Sequence, residues 1–148
     1  MLLGVGNEER GDDGVGSLLV RRLEFTGNWK CIDCGEVPES YTGVVKEFGP
    51  DCLVFVDAVN FGGAPGQVAL IDLQNVKEER FDTHRPSLRV VMKYLQAETN
   101  ADVFLLGIQP KSTLYGQGMS AEVAAALEVL TKSLSHLFQG LRAEVEKS

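Results

Sequence analysis

No apolar run in the 148 residues approaches the roughly 20 that a membrane-spanning helix requires, and no charged leader with a cleavage signal stands before Leu2-Leu3-Gly4. A cytoplasmic protein with no membrane partner is expected. Cysteine is scarce. Cys31, Cys34 and Cys52 form an odd set in a chain without a secretion signal, so reduced thiols are expected rather than a disulfide framework. Positive charge is also short: Lys and Arg number 14 against 21 Asp and Glu, a formal net charge of −7. That balance argues against nucleic acid and suits a basic or metal-bearing partner. The HExxH helix of zinc proteases and the Gly-x-Ser-x-Gly elbow are both missing, which removes two conventional routes to hydrolysis. There is no repeat or low-complexity tract to divide the chain. With 44% hydrophobic and 24% charged residues, it can bury a full core as one domain over residues 1–148.

What is present is concentrated near the start. Gly4-Val5-Gly6-Asn7-Glu8-Glu9-Arg10-Gly11-Asp12-Asp13-Gly14-Val15-Gly16 joins a short apolar run to a helical pattern through glycines and carboxylates. Ligands of open α/β sheets sit beyond the carboxyl ends of the strands, which makes such a loop a site. Glu8, Glu9, Asp12 and Asp13 would repel a phosphate, and Glu9 stands where a dinucleotide motif needs its third glycine. A cation is the expected guest.

Along the chain, strand-like and helix-like patterns alternate. Residues 2–5 read as a buried strand, and Val15, Leu18, Leu19 and Leu23 at helical spacing give a helix over 13–25, ended by Gly27-Asn28. Residues 29–34 read as a second strand. A helix opening at Pro38-Glu39-Ser40 shares one face among Tyr41, Val44, Val45 and Phe48 before Gly49-Pro50 stops it. Residues 52–56 are apolar on both faces, as a central parallel strand covered by helices must be, and end on Asp57. A loop over 61–66 precedes an alternating edge strand over 67–73. After His84-Arg85-Pro86 a helix buries Leu88, Val91, Met92 and Leu95, and residues 102–108 form the last buried strand. A polar loop over 109–119 leads to Ser120, which caps a helix burying Val123, Leu127, Leu130, Leu134 and Leu137. The order βαβαββαβα predicts a three-layer α/β/α sandwich with a mostly parallel twisted sheet and one antiparallel edge strand.

On that fold Asp13 follows the first strand, Asp57 ends the central one and His84 enters a later helix, so the three can converge on one end of the sheet. Two carboxylates and an imidazole suit a divalent ion such as Ni²⁺, Zn²⁺ or Mn²⁺ and leave positions open for substrate. Structural readings stand beside this one. Asp12 or Asp13 would serve as a helix N-cap, and His84 as a capping or surface imidazole. Asp57 resists such a reading, because a carboxylate ending a wholly apolar strand needs a partner. Cys31-Ile32-Asp33-Cys34 has redox or zinc spacing but lies in a strand that puts its thiols on opposite faces. His136, among Leu134, Leu137 and Phe138, reads as a helix-packing or surface residue. Asp33, Glu36 and Glu39 would line the cleft for a basic residue of a substrate, or form an ordinary polar loop and helix start. Gln109 would bind substrate backbone or be an ordinary loop residue.

Taken together, Gly4-x-Gly6-Asn7, Gly11-Asp12-Asp13-Gly14-x-Gly16, Val56-Asp57-Ala58-Val59, Thr83-His84-Arg85 and Gly107-Ile108-Gln109-Pro110 resemble the maturation endopeptidases of nickel-iron hydrogenases. The resemblance spans nearly the whole chain and is nearest to the hydrogenase 3 branch. It implies removal of a short C-terminal extension from the hydrogenase large-subunit precursor once nickel has been loaded. It also implies that Asp13, Asp57 and His84 are the metal-binding and catalytic residues, with nickel carried by the substrate and other divalent metals able to occupy the site. The water that attacks the peptide would be activated by a carboxylate or by the metal. Two other classes remain: a non-cleaving accessory module that recognises nickel-loaded protein, and a small-ligand α/β domain using its acidic loop for Mg²⁺.

Overall fold

A computed structural model describes residues 1–23, 30–75, 82–83 and 85–148. Five strands form one sheet in the order β2-β1-β3-β6-β4, where β1 is Leu2–Gly4, β2 Cys31–Asp33, β3 Cys52–Asn60, β4 Val68–Asp72 and β6 Asp102–Ile108. The first four in spatial order run parallel, and β4 lies antiparallel on β6 as the edge strand the alternation predicted. A two-residue strand β5, Asp82–Thr83, adds an antiparallel rung to the end of β3. No periodicity signals so short an element.

The alternation of β3 divides the core. Leu53 and Phe55 join Leu3, Val5, Val45, Leu88, Met92 and Leu95, under helices α2 (Thr42–Phe48) and α3 (Pro86–Glu98). Val54 and Val56 face the other way, toward Leu2, Val15, Leu19, Val123 and Leu127, under α1 (Val15–Arg22) and α4 (Ala121–Lys147). Each fully buried Leu, Val or Phe contributes about 1.5–3 kcal/mol, so the two faces of β3 anchor both helical layers. Cys31 packs with the second cluster and the buried Cys34 with the first, which separates the two thiols across the sheet; burial pushes both up to about 12.

Four local expectations need correction. The first helix begins as a 3₁₀ turn over Gly11–Gly14 before α1, and its expected end at Gly27-Asn28, like Trp29, lies outside the described residues. On α2, which follows a 3₁₀ turn over Pro38–Tyr41, only Val45 is fully buried, while Val44 and Phe48 are 37% and 38% exposed. On α4 Leu137 is 53% exposed and Phe138 takes the buried position; His136 is on the surface. Finally, β3 continues past Asp57, since Ala58 pairs with Ile108 and Val59 with Thr83.

One glycine explains how closely α1 approaches the sheet. A Cβ on Gly16 would overlap the carbonyl oxygens of Val56 and Val5, so only glycine lets this helix press against the ends of β1 and β3. That approach carries Asp13, three residues upstream, to the side of Asp57.

Candidate active site

The order β2-β1-β3-β6 reverses direction between β1 and β3, the switch point at which α/β sheets open a crevice. The last rung there is Val5 N–H donating to Val56 O at 2.8 Å. Beyond it β1 turns away, and Asp57, one residue further along β3, faces the gap. Its Oδ1 accepts from Ala58 N–H at 2.8 Å. From the 3₁₀ turn Asp13 enters the same gap, its Oδ2 accepting from Asn7 N–H at 3.1 Å.

Between the two carboxylates lies the guanidinium of Arg85. Nη1 donates to Asp57 Oδ1 at 3.0 Å and Oδ2 at 3.3 Å, and to Asp13 Oδ1 at 3.2 Å, while Nη2 donates to Asp13 Oδ2. The arginine backbone is fixed by its neighbour: Arg85 N–H donates to Thr83 Oγ1 at 3.2 Å, and that hydroxyl donates to Arg85 O at 2.8 Å. Asp13, Asp57 and Arg85 are 2%, 0% and 7% exposed. Charges so deeply buried persist only when paired, and here one cation serves two anions. Arg85 Nε, also buried, has no partner among the described residues.

The electrostatics follow from that crowding. Burial pushes the Asp57 carboxyl up to about 8; the Arg85 charge opposes the shift and Asp13, a like charge, adds to it. Burial alone would lower the Arg85 pKa, but Asp57 and Asp13 reverse the direction, so the guanidinium stays charged. A small cavity of about 40 Å³ opens onto the group, lined by Arg10, Asp13, Glu36, Arg85 and Thr113. A neighbouring groove of about 310 Å³ is lined by Asn7, Glu8, Glu9, Asp33 and Glu36 among others.

The donor set suits a divalent cation. Two carboxylates buried in apolar surroundings and aimed at one point offer hard oxygens, and the guanidinium shows that both reach the same positive charge. His84 lies outside the described residues, and among those residues no group of three His, Cys, Asp or Glu is placed to hold a metal.

Other residues take different roles from those expected. Asp12 caps no helix. Its Oδ2 accepts from Lys111 N–H at 2.8 Å, Ser112 N–H at 3.3 Å and Ser120 Oγ–H at 2.9 Å, and its Oδ1 accepts from Ser120 N–H at 2.7 Å. This staples the 109–120 loop over the crevice, and Ser120 caps α4 by accepting from Val123 N–H. The Gln109 amide is committed to the 60–63 turn rather than to substrate: Oε1 accepts from Phe61 and Gly63 N–H, and Nε2 donates to Asn60. Asp33 and Glu36 line the groove and Glu39 does not; Arg21 already pairs with Glu8 and Asp33. Arg85, read only as a helix start, is the residue that sequence reasoning missed. Its signal was the pair Asp13 and Asp57, since two buried anions sharing a site demand a cation.

The fold is shared with a group of peptidases. Residues 14–136 match the hydrogenase maturation protease family model, HycI. The hydrogenase 3 maturation protease of Escherichia coli K12 is 34% identical over 137 residues, covering 90% of this chain and 87% of that protein. The crystal structure of the NiFe hydrogenase maturation protease HycI from Thermococcus kodakarensis KOD1 gives a TM-score of 0.84 at 36% identity, covering 93% of this chain and 90% of that one. The solution structure of the endopeptidase HycI from Escherichia coli gives 0.80 at 34% identity, over 92% and 88%. The chain belongs to the hydrogenase maturation protease family. It is an endopeptidase of hydrogenase maturation, and the non-cleaving accessory module is not favoured.

Proposed function

We propose that this endopeptidase removes the C-terminal extension of a nickel-iron hydrogenase large-subunit precursor after nickel has been loaded, and that Asp13, Asp57 and His84 engage the nickel held by that substrate. The observation that carries the reading is the convergence of two buried carboxylates, from separate elements, on one positive charge. Docking the substrate's metal there would fix the scissile peptide beside the site, so that a water activated by a carboxylate or by the substrate's metal attacks at high effective concentration. Other divalent ions fit the same oxygens. The reaction belongs in the cytoplasm, in keeping with three free thiols and with the absence, among the described residues, of a helix long and apolar enough to cross a membrane.

Cleavage is tested by incubating the protein with a nickel-loaded large-subunit precursor and weighing the C-terminus by mass spectrometry. The wild type is expected to shorten the precursor. Asp57→Asn keeps the side-chain shape but cannot ionise to meet a cation, and is expected to leave the precursor intact while still folding. Full cleavage by Asp57→Asn would remove this carboxylate from the reaction.

A further inference from the structure

Arg85 fills the space that a metal shared by Asp13 and Asp57 would need. We propose that its guanidinium is a resident exchange cation: it preforms the two-carboxylate seat in the metal-free protein and is displaced toward Glu36 when a divalent ion binds. The proposal rests on the reading above that Asp13 and Asp57 receive the metal, and it assigns Arg85 as a positioning residue for that step.

Three observations support exchange over coexistence. The first is occupancy: all four carboxylate oxygens of the pair already accept from Nη1 or Nη2, so an ion coordinating the same oxygens at the roughly 2.0–2.2 Å of a metal bond meets a guanidinium in its path. The second is charge. A carboxyl coordinates a metal only when ionised, and two ionised carboxylates with one guanidinium sum to −1. Adding a divalent ion on top would leave an excess positive charge in a site whose side chains are almost wholly buried, whereas replacing the guanidinium by the ion brings the two-carboxylate seat to neutrality. The third is an available destination. Glu36 Oε1 lies 3.7 Å from Nη2 with its side chain 53% exposed, at the rim of the cavity that opens onto the site. A guanidinium moving toward it would keep an anionic partner and gain water. Its present seat is imperfect, since Nε is buried without a partner among the described residues, and a buried donor left unpaired is unfavourable.

The test is calorimetric titration of Ni²⁺ alone into the full chain, with thermal melts as the check of folding. Arg85→Gln empties the seat of its competing charge and is expected to bind Ni²⁺ about ten-fold tighter or more, because apparent affinity is the intrinsic one scaled by the fraction of seats left open. Arg85→Lys keeps a cation but loses the fork that spans two carboxylates, and should tighten binding less. Glu36→Gln removes the destination and should weaken binding, an effect that disappears in the Arg85→Gln background. Were Arg85→Gln not to fold, the opposite shifts of Arg85→Lys and Glu36→Gln would decide. Unchanged or weaker Ni²⁺ binding in the Arg85 variants overturns the exchange and makes Arg85 a fixed clamp. Asp57→Asn separates the two ideas: if it binds Ni²⁺ as the wild type does, the metal-site reading itself has failed.

Discussion

Replacing Asp12 by Asn changes one heavy atom and should release the loop that closes the crevice. The Asp12 carboxylate, 1% exposed, accepts four hydrogen bonds from Lys111, Ser112 and Ser120. An asparagine can keep the three at Oδ2 only by turning its NH₂ toward Ser120 N–H, which approaches Oδ1 at 2.7 Å. Donor then faces donor. The orphaned pair costs about 2 kcal/mol, and loss of the charge from the three remaining bonds about 1 kcal/mol more. A total of about 3 kcal/mol lowers Tm by about 6–12 °C for a chain of this size. Hydrogen exchange should quicken across residues 111–120 while β3 stays protected, and KM for the precursor should rise, because Thr113 of this loop lines the cavity with Asp13 and Arg85. An unaltered Tm with unaltered exchange in the loop would refute the staple.

Gly16→Ala drives a Cβ into the Val56 and Val5 carbonyls and should cost about 3 kcal/mol. Gly43→Ala and Gly140→Ala, on helices with open space around the new methyl, should be neutral or slightly stabilising, and equal melts for all three would contradict the close approach of α1. Asp57 supplies a pH signature. Its carboxyl is raised from 3.8 to about 8 in the folded chain, so its contribution to stability is fully present below about 4 and lost as pH rises through about 8. Asp57→Asn cannot titrate and should therefore gain stability relative to the wild type between those values; parallel urea midpoints across the range would count against the buried carboxyl.

Periodicity reported the layers well. Leu88, Val91, Met92 and Leu95 all face the core as their spacing requires, and the two-sided apolar run before Asp57 is the central strand. The position of Asp57 was legible for the same reason, since an isolated carboxylate in such a run has no local use. What escaped detection depends on partners distant in sequence. Asp12 and Asp13 are adjacent in the same acidic motif, yet one binds a loop about a hundred residues away and the other faces Arg85, and nothing local tells them apart. Arg85 looks like an exposed helix start until the fold brings it to two anions. Gln109 follows a strand at the active edge, but the Phe61 and Gly63 amides claim its side chain.

The central claim is that the site reads nickel in the substrate before it cuts. The most direct measurement gives the same purified enzyme, stripped of metal, either nickel-free or nickel-loaded large-subunit precursor and follows the precursor's C-terminal mass with time. Cleavage of the loaded form alone, abolished by His84→Ala, is the predicted result. Equal cleavage of both forms would contradict it.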